Sequence, residues 1–136
     1  MKKILFLIIG VCTLNSCSDY YDGDERIVIE GFVVTQGKPF GNVTIKVYPS
    51  FHEPENGTIS EINRNDEYNH DGWKFYDPIS VTSTNTDGKI SLSIPRSEDT
   101  DVFVIEIGHD YDTKTYGYIS SYNTVNHYVN LGTLTY

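Results

Sequence analysis

The chain has little of what commonly staples, metallates or buries a small protein. Of 136 residues two are cysteine, one is tryptophan and one is methionine. Cys12 and Cys17 sit five positions apart near the amino terminus, so no disulfide can brace the rest of the chain. The longest apolar run, Ile4 to Val11, falls far short of the roughly 20 residues that cross a bilayer as a helix. HExxH, HxH, paired cysteines at metal spacing, the GxSxG elbow and a glycine-rich phosphate loop are all missing, so no motif points to a zinc peptidase, a serine hydrolase or a nucleotide site. Positive charge is scarce as well, with 10 Lys and Arg against 19 Asp and Glu and a formal net charge of −9. Such a surface repels phosphate backbones, which argues against nucleic acid as a partner.

What is present begins at the amino terminus. Lys2 and Lys3 precede the apolar block Ile4 to Val11, and small or polar residues follow up to Ser16, the order of a secretory signal peptide. Leu14-Asn15-Ser16-Cys17 resembles the lipobox of bacterial lipoproteins, although Asn15 is less usual at its position than Ala or Ser. The resemblance implies cleavage after residue 16, a diacylglycerol thioether on Cys17 and acylation of the new amino terminus. Several acyl chains, each buried methylene contributing about 0.8 kcal/mol, would hold the protein at a membrane essentially permanently. Lipidation would also account for Cys17, which otherwise loses its only potential partner when Cys12 is removed.

The expected organisation is therefore a signal peptide at 1–16, an acidic lipidated tether at 17–25 and one domain at 26–136. The mature chain keeps eight basic and 19 acidic residues, a formal charge of −11. Ser18, Asp19, Asp22, Asp24 and Glu25 look like the acidic signal that sends some lipoproteins to the outer face of the outer membrane, or form a solvated tether. An outer-membrane location follows as the expectation, on the periplasmic or the cell-surface face.

From Asp24 onward no segment keeps helical periodicity for two turns, whereas alternation with period two recurs. Ile27, Ile29 and Val33 fall on one face of a strand, with Gly31 marking a bulge or close packing. Val43, Ile45 and Val47 alternate with Thr44, Lys46 and Tyr48. Ile79 and Val81 alternate with Ser80 and Thr82, then Asp87-Gly88 predicts a hairpin turn into Ile90, Leu92 and Ile94, ended by Pro95. Residues 102–107, VFVIEI, are apolar on both faces except at Glu106, which predicts a central strand. Tyr116 and Tyr118 mark a further strand, and the last strand carries Gly132 as an expected bulge. About seven short strands between turn signals predict an all-β sandwich.

The segments IEGFVVTQGKPFGNVTIKVY, TSTNTDGKISLSIP, VFVIEIG and VNLGTLTY resemble the carboxypeptidase regulatory-like domain, a transthyretin-like (prealbumin-like) fold. Gly31, Pro39, Val43, Thr84, Asp87, Gly88, Leu92 and Pro95 match that family's pattern, and Ile90 replaces its usual aromatic. The resemblance implies a seven-stranded Greek-key sandwich and says nothing of chemistry. An insertion at about 49–78 departs from the family. Its first part, 51–72, reads as an exposed loop, and Trp73, Phe75 and Tyr76 predict an added strand near 73–77.

Tyr68, Trp73, Phe75 and Tyr76 are the candidate binding surface, either a platform for a sugar ring or a protein, or core residues of that added strand. His52, His70, His109 and His127 with Asp66, Glu67, Asp71 or Asp110 lack ligand spacing and read as solvated side chains. No catalytic residue, metal or cofactor is expected. The functional expectation is a non-enzymatic lipid-anchored protein that binds another envelope protein as scaffold or accessory module, for example a tether in a secretion-type complex. Glycan binding in a surface nutrient-capture system is the alternative.

Overall fold

The structure is a computed structural model that describes residues 25–50, 59–63, 77–96, 102–120 and 127–136. These residues form strands and turns in two sheets. The strands are β1 (Arg26–Thr35), β2 (Lys38–Pro39), β3 (Thr44–Ser50), β4 (Ser60–Ile62), β5 (Ser80–Ser83), β6 (Lys89–Pro95), β7 (Val102–His109), β8 (Asp112–Ser120) and β9 (Tyr128–Thr135). Strand β1 pairs antiparallel with β2 and β6 and parallel with β9. The second sheet runs in the order β4-β8-β7-β3-β5.

The alternation read from the sequence explains how the two sheets meet. Ile27, Ile29 and Val33 from β1 face Ile45 and Val47 from β3 and Phe103, Ile105 and Ile107 from β7 in one cluster, completed by Ile90, Ile94, Ile119, Leu131 and Leu134. β-Branched residues dominate it because they pack well on a pleated surface with little rotamer freedom to lose. Strand β7 is the central strand that its two apolar faces predict, lying between β3 and β8 with residues 102–107 all buried.

Several local expectations are refined. Gly31 is a site of close packing, because a Cβ there would stand 2.8 Å from Leu131 Cβ. The bulge lies opposite, where Glu30 pairs with Asn130 but Phe32 pairs with Thr133, so Leu131 and Gly132 span one residue of β1. The insertion is not loop throughout 51–72, since Ser60–Ile62 adds an edge strand to β8 through Ser60↔Gly117 and Ile62↔Thr115. Residues 73–76 of the expected added strand lie outside the described residues, and Asp77 is not in a strand.

The expected hairpin at Asp87-Gly88 is corrected. Strand β5 pairs with β3 and strand β6 pairs with β1, so the turn carries the chain from one sheet to the other. Its chemistry shows why. Thr84 stays with the β3 side, its N–H donating to Val43 O at 3.0 Å while its hydroxyl donates to Phe40 O at 2.8 Å and accepts from Val43 N at 3.1 Å. Asn85 Oδ1 then accepts from the N–H groups of Asp87 and Lys89, and Gly88 O receives Val33 N at 2.8 Å on the β1 side. Gly88 makes this crossing with φ +74, and a Cβ there would lie 2.5 Å from Val33 O. A turn residue pattern is the same for a hairpin and for a corner, and only partners far along the chain separate the two.

Two substitutions test this account. Ile105→Ala, at a fully buried position, is expected to lower unfolding stability by about 2–5 kcal/mol in urea titrations read by circular dichroism. Gly88→Ala is expected to cost at least about 2 kcal/mol, because a left-handed conformation strains any side chain and this one also meets backbone. A smaller loss at Gly88 would mean that the corner is not fixed as described.

Candidate ligand-binding face

Alternation sends the even-numbered residues of β1 away from the core. Arg26, Val28, Glu30 and Phe32 therefore line the outer face of the first sheet. Register adds their neighbours, with Val28 opposite Ser93 and Tyr128, Glu30 opposite Ser91 and Asn130, and Phe32 opposite Lys89 and Thr133. Three large apolar side chains on this face stay open to solvent, Val28 at 39%, Phe32 at 47% and Tyr128 at 42%.

Between them Glu30 organises a polar row across three strands. Its Oε1 pairs with Lys89 Nζ at 2.8 Å and accepts from Ser91 Oγ at 3.4 Å, and its Oε2 accepts from the Tyr128 hydroxyl at 3.0 Å. Lys89 and Tyr128 both reach Glu30 diagonally, from positions opposite Phe32 and Val28, the reach expected of long side chains on neighbouring strands. One row lower, Arg26 donates from Nε to Ser93 Oγ at 2.6 Å and from its terminal nitrogen to Ser93 O at 2.8 Å. Glu25 and Arg96 pair at 2.6 Å at the same end.

The hydrogen bonds of the row fix the charges of its members. Hydrogen bonds from Lys89 and then Tyr128 hold the Glu30 carboxyl below its ordinary value. The bond to Glu30 raises both the Lys89 ammonium and the Tyr128 phenol above theirs. Near neutral pH each group therefore sits more firmly in its usual state, and none is poised to give or take a proton. The row can order itself and hydrogen-bond a ligand.

The outer face of the second sheet is different. Tyr48, Ser50, Val102, Val104, Glu106, Thr115 and Ser120 occupy it, and all are buried. The Glu106 carboxylate, 3% exposed, pairs with Lys46 Nζ at 3.3 Å, and Tyr48, Ser50, Glu106, Tyr118 and Ser120 each engage a further partner. The openings on that side are at Lys46 and at Val81, which lies opposite Lys46 on β5 and is 58% exposed, so alternation turns Val81 away from the core.

The residues singled out from the sequence fall elsewhere. Cys17, Tyr68, Trp73, Phe75 and Tyr76 lie outside the described residues, as do His52, His70, Asp66, Glu67 and Asp71. His109 and Asp110 are exposed where β7 turns into β8. His127 precedes β9 at the other end of the sandwich, because the carboxyl end of β9 lies beside Asp112, whose C=O accepts from the Tyr136 hydroxyl at 2.8 Å. Among the described residues no three His, Cys, Asp or Glu side chains come together to hold a metal ion. The face built on Glu30 was not anticipated. Its signal was present in RIVIEGFVV, where Val28 and Phe32 are apolar at positions that alternation turns outward.

No protein-family model matches this chain, and no curated protein matches it in sequence.

Acid titration tests the Glu30 row. A carboxyl held below its ordinary value contributes stability above that value and loses it as pH falls through the folded-state value. The midpoint of urea unfolding is therefore expected to fall more steeply below about pH 4.5 in the wild type than in Glu30→Gln. Parallel curves for the two proteins would mean that the row contributes nothing to folding.

Proposed function

We propose that this chain is a non-enzymatic, lipid-anchored binding module of the bacterial outer membrane, a transthyretin-like sandwich attached through Cys17 and serving another envelope protein as scaffold or accessory. A tether in a secretion-type membrane complex is its concrete form. The observation that carries the reading is the sequence Leu14-Asn15-Ser16-Cys17 placed shortly before the sandwich begins at Glu25. Eight residue steps separate Cys17 from Glu25, so even a fully extended chain of about 3.5 Å per residue spans no more than about 28 Å. The end of the sandwich where β1 starts would then stand close to the bilayer.

Two sheets packed on an isoleucine and valine core, with seven strands of four or more residues at the positions expected from alternation, support the sandwich. Glu30, Lys89 and Tyr128, each stabilised in its ordinary protonation state, support binding over catalysis. The glycan reading gains from one observation, the exposed Phe32 and Tyr128 on either side of a fixed polar row.

Mass spectrometry of the protein purified from envelopes is expected to show a chain starting at an acylated Cys17. Cys17→Ser is expected to run as the uncleaved precursor and to carry no acyl chain. A free thiol at Cys17, or normal processing of the Ser variant after residue 16, would refute the anchor. Affinity capture with the wild type and no co-purifying membrane protein would refute the scaffold reading.

A further inference from the structure

We propose that the outer face of the β6-β1-β9 sheet binds a short neutral oligosaccharide, with Phe32 and Tyr128 as the ring contacts and the Glu30 row as the hydroxyl contact. The proposal deepens the glycan reading and is independent of the lipid anchor.

Size selects the occupant. Three strands spaced about 4.8 Å apart and about seven residues long at about 3.3 Å each present a face on the order of 300 Å². A stable protein interface needs roughly 800 Å² from each partner, so a second copy of this chain or another protein seated on this face alone falls short by more than half. A few sugar rings laid on the sheet need no more area than it offers.

Chemistry selects the same class. A pyranose presents carbon-bound hydrogens on its face and hydroxyls around its rim, and it needs apolar ring surface beside paired donors and acceptors. Phe32 lies two residues beyond Glu30 on β1, and Tyr128 lies opposite Val28, two residues before it, so the two rings flank the carboxylate. Glu30 retains acceptor capacity, Lys89 carries three ammonium hydrogens of which one is used on Glu30, and Ser91 offers a hydroxyl. Asn130 adds its amide nitrogen, since its Oδ1 is already engaged by Gly132 N at 2.9 Å.

Charge narrows the ligand further. Glu30 is balanced by Lys89 and Glu25 by Arg96, and the remaining named charge, the Arg26 guanidinium, is held on Ser93 one row away, so the row beside the two rings is itself neutral. Because the row is bonded before any ligand arrives, few side-chain rotamers remain to be frozen on binding.

The test is an amide chemical-shift titration of the ¹⁵N-labelled full-length protein in a non-glycosidic detergent, against maltotriose, cellotriose, mannotriose and chitotriose at millimolar concentration. For at least one sugar, shifts are expected to be confined to Val28–Phe32, Lys89–Ser93 and Tyr128–Asn130. Phe32→Ala is expected to weaken that sugar about tenfold while amide shifts away from Phe32 and its strand neighbours stay those of the wild type, which shows the variant folded. Shifts centred on other residues would overturn this face while leaving glycan binding standing, and no shifts with any sugar would overturn both. Broadening of these same residues that grows with protein concentration in the absence of sugar would overturn the proposal in favour of a second copy.

Discussion

Strand β1 is the constraint on which the rest depends, because its two faces serve two different ends. Its odd-numbered residues Ile27, Ile29 and Val33 are buried to 1% exposure or less and knit the first sheet to β3 and β7. Its even-numbered residues carry Glu30 and the exposed Val28 and Phe32. A one-residue slip in its pairing would send Glu30 into the core and Ile29 to solvent, so the burial of three branched side chains also fixes where the polar row stands. Parallel pairing with β9 on one edge and antiparallel pairing with β6 on the other brings Tyr128 and Lys89 to the same carboxylate from both sides.

Closing the sandwich takes contacts that bridge the sheets at the end away from Arg26. The Tyr116 hydroxyl of β8 donates to Thr135 O of β9, and the Tyr136 hydroxyl donates to Asp112 O of β8 at 2.8 Å while its ring meets that of Phe40 at a tilt of 41°. Thr84 and Gly88 carry the chain across at the same end. Tyrosine suits these positions because its ring fills apolar space while its hydroxyl reaches a backbone carbonyl. Of the eleven tyrosines, Tyr116 and Tyr136 are thus explained by packing between strands.

How much of this was legible in the sequence varies with the range of the interaction. Strand positions were readable because alternation is local, and so was the centrality of β7, since only a strand covered on both faces can be apolar at 102, 103, 104, 105 and 107. Strand partnership was not. Asn85-Thr86-Asp87-Gly88 reads as a tight turn whether its strands pair with each other or with others, and the choice was made by Val43 and Val33, more than forty residues earlier. Strand β4 has only three residues, too few to show a period, and it exists because Thr115, Tyr116 and Gly117 offer an edge. The candidate face was missed for a related reason: Glu30, Lys89 and Tyr128 are separated by 59 and 98 positions from Glu30, and nothing local announces that register will bring them together.

The contrast between the two outer faces bears most directly on what the molecule is for. Burying Glu106 beside Lys46 on the second sheet carries a desolvation cost that the ion pair at 3.3 Å offsets in part. On the first sheet the carboxylate remains at the surface, its partners are exposed, and its bonds cost little desolvation and contribute little stability. A surface row satisfied at three positions, with apolar side chains left open on either side, is the feature of the described surface on which the proposed binding rests.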